Sequence, residues 1–388
     1  MSIELLFNPF KLINLNLKNR IVMAPMTRSM SPQHIPTEEA AQYYASRAKG
    51  KVGLIITEGT GINHPATHAY PDVPNLFGKE ALAGWKRVVD EVHLRGGKIF
   101  PQLWHVGSVR QQDDHENQGV DNPQHCCHCN HPEVPGYGPS PVAHPYVENA
   151  EAPKELSQND INEIITAYAN AAKDAKQIGF DGVELHAAHG YLIDQFFWDV
   201  TNQRTDKYGG NTLAERAQFA VEVLRAVRQA VGPDFPISIR ISQWKLGDYA
   251  AKMAKTPAEL DDFVALLADA GADIFHCSTR RFYEPEFPDS DLNFAGWVKK
   301  LSGKPTITVG SVGLDNDFVS TFLGKETKLE NNSIKQVLTK LERDEFDLVA
   351  VGRMLLANPD WPEKIANGKL DEIIPFSQDK HAGMKSDK

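Results

Sequence analysis

The chain has 388 residues, 41% of them hydrophobic and 24% charged, with a formal net charge of −10, the profile of a soluble globular protein with a sizeable core. An acidic balance with no basic run argues against nucleic acid as a partner, because phosphate binding wants a basic face. No apolar run reaches the roughly 18 residues of a membrane span, MSIELLFNPF at the N-terminus is no secretion leader, and four cysteines, three in one segment, make no disulfide framework; a cytoplasmic protein is expected.

Short apolar runs recur along the chain, each followed by a helical pattern. The runs are 20–24, 52–57, 98–103, 182–186, 236–241, 273–277, 305–309 and 347–351. Near-continuous apolarity marks strands buried on both faces, as in parallel sheets. The helical patterns cover 38–49, 79–95, 157–178, 213–231, 257–270, 294–301, 333–343 and 359–366. Several are well punctuated: Ser157 with Asp160 resembles a capping box, Thr256 precedes Pro257 at a helix start, and Gly179 and Gly271 follow helix ends. Eight such units predict a (β/α)₈ TIM barrel, with an open doubly wound sheet as the alternative. Residues 1–375 are expected to form one domain. Two short alternating runs in LFNPFKLINLNLKN predict a hairpin capping the barrel bottom.

The connection after the third strand, 105–153, is rich in Pro, Gly, Asn and His and far longer than an ordinary βα loop. A lid or substrate-side excursion is expected there. Within it, HCCHCNH at 125–131 has ligand types for zinc, but adjacent Cys126 and Cys127 and the missing two-residue gaps fit no structural zinc pattern; no metal is expected. A second excursion, 279–292, carries Phe282, Tyr283 and Phe287 beside Arg280 and Arg281, and 376–388 is expected to be disordered.

Polar residues gather at the strand ends, where a barrel binds its ligands. VELHAAHGYLIDQF passes from strand to helix and sets His186 and His189 three apart, with Tyr191 just after Gly190. Glycine-rich turns after strands seven and eight, with Gly310, Ser311, Gly352 and Arg353, form a candidate phosphate cradle. Gln102 offers a donor and an acceptor to a flat heterocycle, and Arg240 would set permanent positive charge beside it. Tight turns, core histidines and an ion pair inside the barrel would explain these residues one at a time. A phosphorylated heterocycle across the barrel mouth accounts for them together.

With PMTR at Pro25, EGT at Glu58, QLWHVG at Gln102, HAAHGYLIDQF at His186, NQRTDKYGG at Asn202, IRIS at Ile239 and VGRMLLANPDW at Val351, the chain resembles the Old Yellow Enzyme family of flavin-dependent ene-reductases. The resemblance implies non-covalent FMN, reduced by NADPH or NADH, and reduction of an activated C=C bond or a nitro compound. Carried over by position, it implies that Pro25, Met26, Thr27 and Gly59 border the flavin. Gln102 would meet its pyrimidine side, Arg240 its N1 and O2, and Gly310, Ser311, Gly352 and Arg353 its phosphate. His186 and His189 would hold a substrate carbonyl and Tyr191 would donate a proton, in a pocket with Trp104, Tyr70 and Phe282. Ser242 and Gln243 stand where a Ser-Pro is more usual, with Trp244 and Lys245 following. Two other functions compete: a non-redox phosphate-binding lyase or isomerase, and a flavin- or metal-binding protein acting through 125–131. No lysine stands at the expected strand ends to serve the first as a Schiff base.

Overall fold

The computed structural model describes residues 3–111, 134–330 and 332–378. The eight apolar runs become parallel strands β1 (Ile21–Met23), β2 (Leu54–Gly61), β3 (Ile99–Trp104), β4 (Val183–His189), β5 (Ile237–Lys245), β6 (Ile274–Ser278), β7 (Thr306–Val309) and β8 (Leu348–Val351). Each pairs with its sequence neighbour, and β8 pairs with β1, so the sheet closes into a barrel. That pairing, Val349 opposite Ile21 and Val351 opposite Met23, rules out the open-sheet alternative.

The long covering helices are α1 (Glu38–Lys49), α2 (Lys79–Leu94), α3 (Gln158–Ile178), α4 (Gln218–Val231), α5 (Pro257–Ala270), α6 (Phe294–Ser302), α7 (Ser333–Glu342) and α8 (Trp361–Ala366). Their starts follow side-chain chemistry. Thr37 and Thr256 each accept a backbone N–H three residues on, and Ser157 with Asp160 closes a full capping box. The helix expected over 213–231 is broken: Leu213–Arg216 forms one turn, Ala217 separates it from α4, and buried Arg216 turns inward to the carbonyls of Phe197 and Gly210.

Phe10–Leu12 and Leu15–Leu17 pair antiparallel, as the alternation predicts. Phe10, Leu15 and Leu17 pack against Val22, Leu54, Phe100, Ile274, Ile307 and Leu348, which stoppers the lower end of the barrel. Ligand access is thereby left to the other end. In the long third connection, Tyr137–Gly138 pairs with Lys154–Glu155; the 125–131 segment lies outside the described residues. Phe376, expected to begin a tail without structure, is instead buried and lines the upper cavity with Gln378. Among the described residues no helix is long and apolar enough to cross a membrane, and no group of three or more His, Cys, Asp or Glu could hold a metal ion.

Candidate active site

A cavity of about 480 Å³ opens at the C-terminal ends of the strands. Pro25, Met26, Thr27, Gln102, Trp104, His186, His189, Tyr191, Arg240, Gly310, Ser311, Gly352 and Arg353 all border it. Three residues expected there do not. Phe282 is fully buried in the hydrophobic core, edge-on to Tyr283, because its loop folds inward over the core. Gly59 lies behind Trp104, where a Cβ would stand 2.2 Å from the indole; only glycine lets Trp104 pack there. Tyr70 stands behind Trp104 and Tyr191, stacked on the indole at 5.7 Å with its hydroxyl on that of Tyr191.

The wall is made by the turn from β4 into the short helix Leu192–Phe197. The register of β4 against β5 slips between Ala187 and His189, and His189 and Gly190 take positive φ of 65° and 82°. Asp194 accepts the Gly190 N–H at 2.7 Å and pairs with the fully buried Lys245 ammonium at 2.5 Å, fixing the turn to β5. His186 then sits in T-shaped contact with His189 and Tyr191, at 5.2 and 5.0 Å. The Tyr191 and Tyr70 hydroxyls are 3.1 Å apart. Burial and the Tyr70 phenol hold Tyr191 well above its usual pKa, so it keeps its proton at neutral pH. Burial and the Arg240 charge push His186 down to about 3 and His189 well down too, so both imidazoles are neutral N–H donors.

Two partners of His189 escaped the sequence. Ser278 Oγ lies 2.8 Å from His189 Nε2, and the Trp244 indole stacks on the ring at 4.3 Å. A substrate oxygen taking that N–H competes with Ser278. The only hint was position, because Ser278 falls one residue beyond the predicted sixth strand.

On the floor, Arg240 is buried; among the described residues its Nε has no partner and Nη2 reaches only Ser278 Oγ at 3.4 Å. Burial draws it down to about 10 while nearby Glu184 draws it back up, so it stays charged at neutral pH. A guanidinium held this way suits an electron-rich ring in the cavity, since a buried donor left without an acceptor is costly. Gly310 has φ of 150°, and a Cβ there would stand 2.6 Å from the Thr279 carbonyl, so the anion-facing turn requires glycine. Arg353, expected in the phosphate cradle, borders the cavity, but its Nη1 and Nη2 donate to Asn316, the Asp317 carbonyl and Thr321 Oγ1, bracing the loop after β7. Arg280, noted in the sequence only as part of the 279–292 excursion, also borders the cavity, with Nε on Asp317 at 2.9 Å. These backbone turns with two guanidinium groups beside them fit a phosphate.

Residues 5–372 match the family model described as the NADH:flavin oxidoreductase / NADH oxidase family. The chain is 35% identical over 360 residues to 12-oxophytodienoate reductase 2 of Arabidopsis thaliana, covering 92% of this chain and 87% of that one. It is 33% identical over 378 residues to an NADH oxidase of Thermoanaerobacter brockii, 95% of this chain but 52% of that one. Morphinone reductase in complex with tetrahydroNAD superposes with a TM-score of 0.76 at 30% identity, over 97% of this chain and 93% of the other. The chain therefore belongs to the NADH:flavin oxidoreductase / NADH oxidase family, the Old Yellow Enzyme family its motifs resemble, and is an FMN-dependent oxidoreductase of C=C bonds.

Proposed function

We propose that this chain reduces small α,β-unsaturated carbonyl compounds, and nitro compounds as a second class, with His186, His189 and Tyr191 acting on the substrate. The observation that carries this is the convergence of two neutral imidazoles and a protonated phenol on one cavity whose floor holds Arg240 and Gln102. Bound FMN supplies hydride exchange between a nicotinamide, NADH or NADPH, and the substrate's β-carbon. His186 and His189 donate N–H to the carbonyl oxygen, where negative charge gathers as the bond is reduced, in the manner of an oxyanion hole. Tyr191 gives its proton to the α-carbon and Tyr70 holds its hydroxyl in place. Gln102, Arg240, Thr27, Pro25 and Met26 orient the ring, and Gly310, Ser311, Gly352 and Arg353 shape the phosphate end. Trp104, Trp244 and Tyr249 exclude water and favour flat, apolar substrates. The net charge of −10 supports small-molecule rather than nucleic-acid partners, and the sparse cysteines support a cytoplasmic setting.

The test is direct. Purified protein is expected to be yellow with one FMN per chain, and an enone is expected to reoxidise it after reduction by nicotinamide. A protein that neither carries nor takes up FMN refutes the assignment.

A further inference from the structure

Below the cavity lies a polar layer that the scheme above leaves unused. Glu184 on β4 is fully buried. Its Oε1 accepts from Gln102 Nε2 at 2.9 Å, and its Oε2 lies 3.0 Å from Ser238 Oγ and 2.8 Å from His276 Nδ1. Barrel register creates this layer: Gln102 pairs with Glu184 and Glu184 with Ser238, while Arg240 pairs with both His186 and His276. Ser238 and Arg240 share a face of β5, so the guanidinium stands one step above the carboxylate, toward the cavity.

Two consequences follow. A carboxylate only accepts hydrogen bonds, so Gln102 must present its amide nitrogen to Glu184 and turn its carbonyl elsewhere. Burial alone would raise Glu184, but the His276 hydrogen bond, the Arg240 charge and the Gln102 hydrogen bond together hold it below the usual carboxylate range, so it is ionised. Burial lowers His276, whose Nε2 has no partner among the described residues, so that ring is neutral. Among the described groups joined in this layer, the charges are therefore Glu184 negative and Arg240 positive.

We propose that Glu184 is a positioning residue that sets the reduction potential of the bound flavin. It turns the Gln102 carbonyl toward the ring and offsets part of the Arg240 charge that faces it. This rests on Gln102 and Arg240 being the ring's neighbours. Positive charge beside the ring favours the electron-richer reduced form, so removing the offset makes reduction easier.

The experiment is potentiometric titration of FMN-loaded parent, Glu184→Gln, Glu184→Asp and Arg240→Gln proteins, with FMN affinity measured by fluorescence. Glu184→Gln keeps the volume and loses the charge; its two-electron potential is expected to rise by about 30 mV, a tenfold shift in the oxidised-to-reduced equilibrium. Glu184→Asp keeps the charge but draws it from Gln102; FMN binding is expected to weaken about tenfold with the potential near the parent's. Arg240→Gln is expected to lower the potential. An unchanged or lower potential in Glu184→Gln, with Arg240→Gln lowered, overturns the role of Glu184 and leaves the ring placement standing. An unchanged potential in Arg240→Gln overturns the placement itself and the proposal with it. Should Glu184→Gln fail to fold, parental FMN affinity in Glu184→Asp overturns the proposal.

Discussion

Mild acid is expected to destabilise this protein at a pH where ordinary carboxylates are still ionised. His186 and His68 are pushed down to about 3, and His64 and His144 to about 4, from 6.5, with burial the main cause in each. A histidine whose folded pKa lies below its unfolded one favours the fold fully above pH 6.5, and that contribution is lost as pH falls through 6.5 toward the folded value. At pH 5.5 the unfolded chain binds protons that the folded rings refuse, at about 1.4 kcal/mol per ring, so the four rings lose about 5 kcal/mol relative to pH 7. Glu58 works the other way: burial raises it from 4.5 to about 7, so acidification relieves a buried charge and returns about 1.5 kcal/mol over the same interval. The net loss is about 3.5 kcal/mol, a sizeable part of a typical stability of about 5–15 kcal/mol. Urea unfolding followed by tryptophan fluorescence, at pH 7 and 5.5 and constant ionic strength, measures it, and the thermal midpoint should fall by about 4 °C. Equal or greater stability at pH 5.5 refutes the claim that these rings are held neutral.

Replacing Tyr191 by Phe should leave flavin reduction by nicotinamide near the parental rate and slow oxidation by an enone by about 10²–10⁴-fold; stopped-flow traces in which both halves slow equally remove its proton-donor role. Gly59→Ala drives a methyl into the Trp104 indole and should cost about 1–3 kcal/mol in denaturant titration, with weaker substrate binding because Trp104 packs on His186 and Tyr191; parental stability would show that the indole has room to move. Asp194→Asn leaves the fully buried Lys245 amine without its carboxylate partner and should destabilise the fold by about 3–5 kcal/mol. A loss under about 1 kcal/mol would mean that water reaches the ammonium.

Local chemistry made the alternation of strands and helices legible, because near-continuous apolar runs, apolar stripes and caps such as Ser157 and Thr256 act over a few residues. It also placed Gln102, His186, Arg240 and Gly310 at strand ends, and a barrel gathers strand ends whatever lies between them. Closure was a different matter. Whether Val349 meets Ile21 depends on the twist and stagger accumulated over eight strands, which no single window of sequence contains. The same holds for the contacts that closure creates: Tyr70 on Tyr191, Ser278 on His189, Glu184 beneath Gln102, each pair more than eighty residues apart. Phe282 and Arg353 were placed by residue type beyond their strand ends, but a side chain there goes where its neighbours leave space or offer acceptors. The core took the first, and the carbonyls of Asn316 and Asp317 took the second.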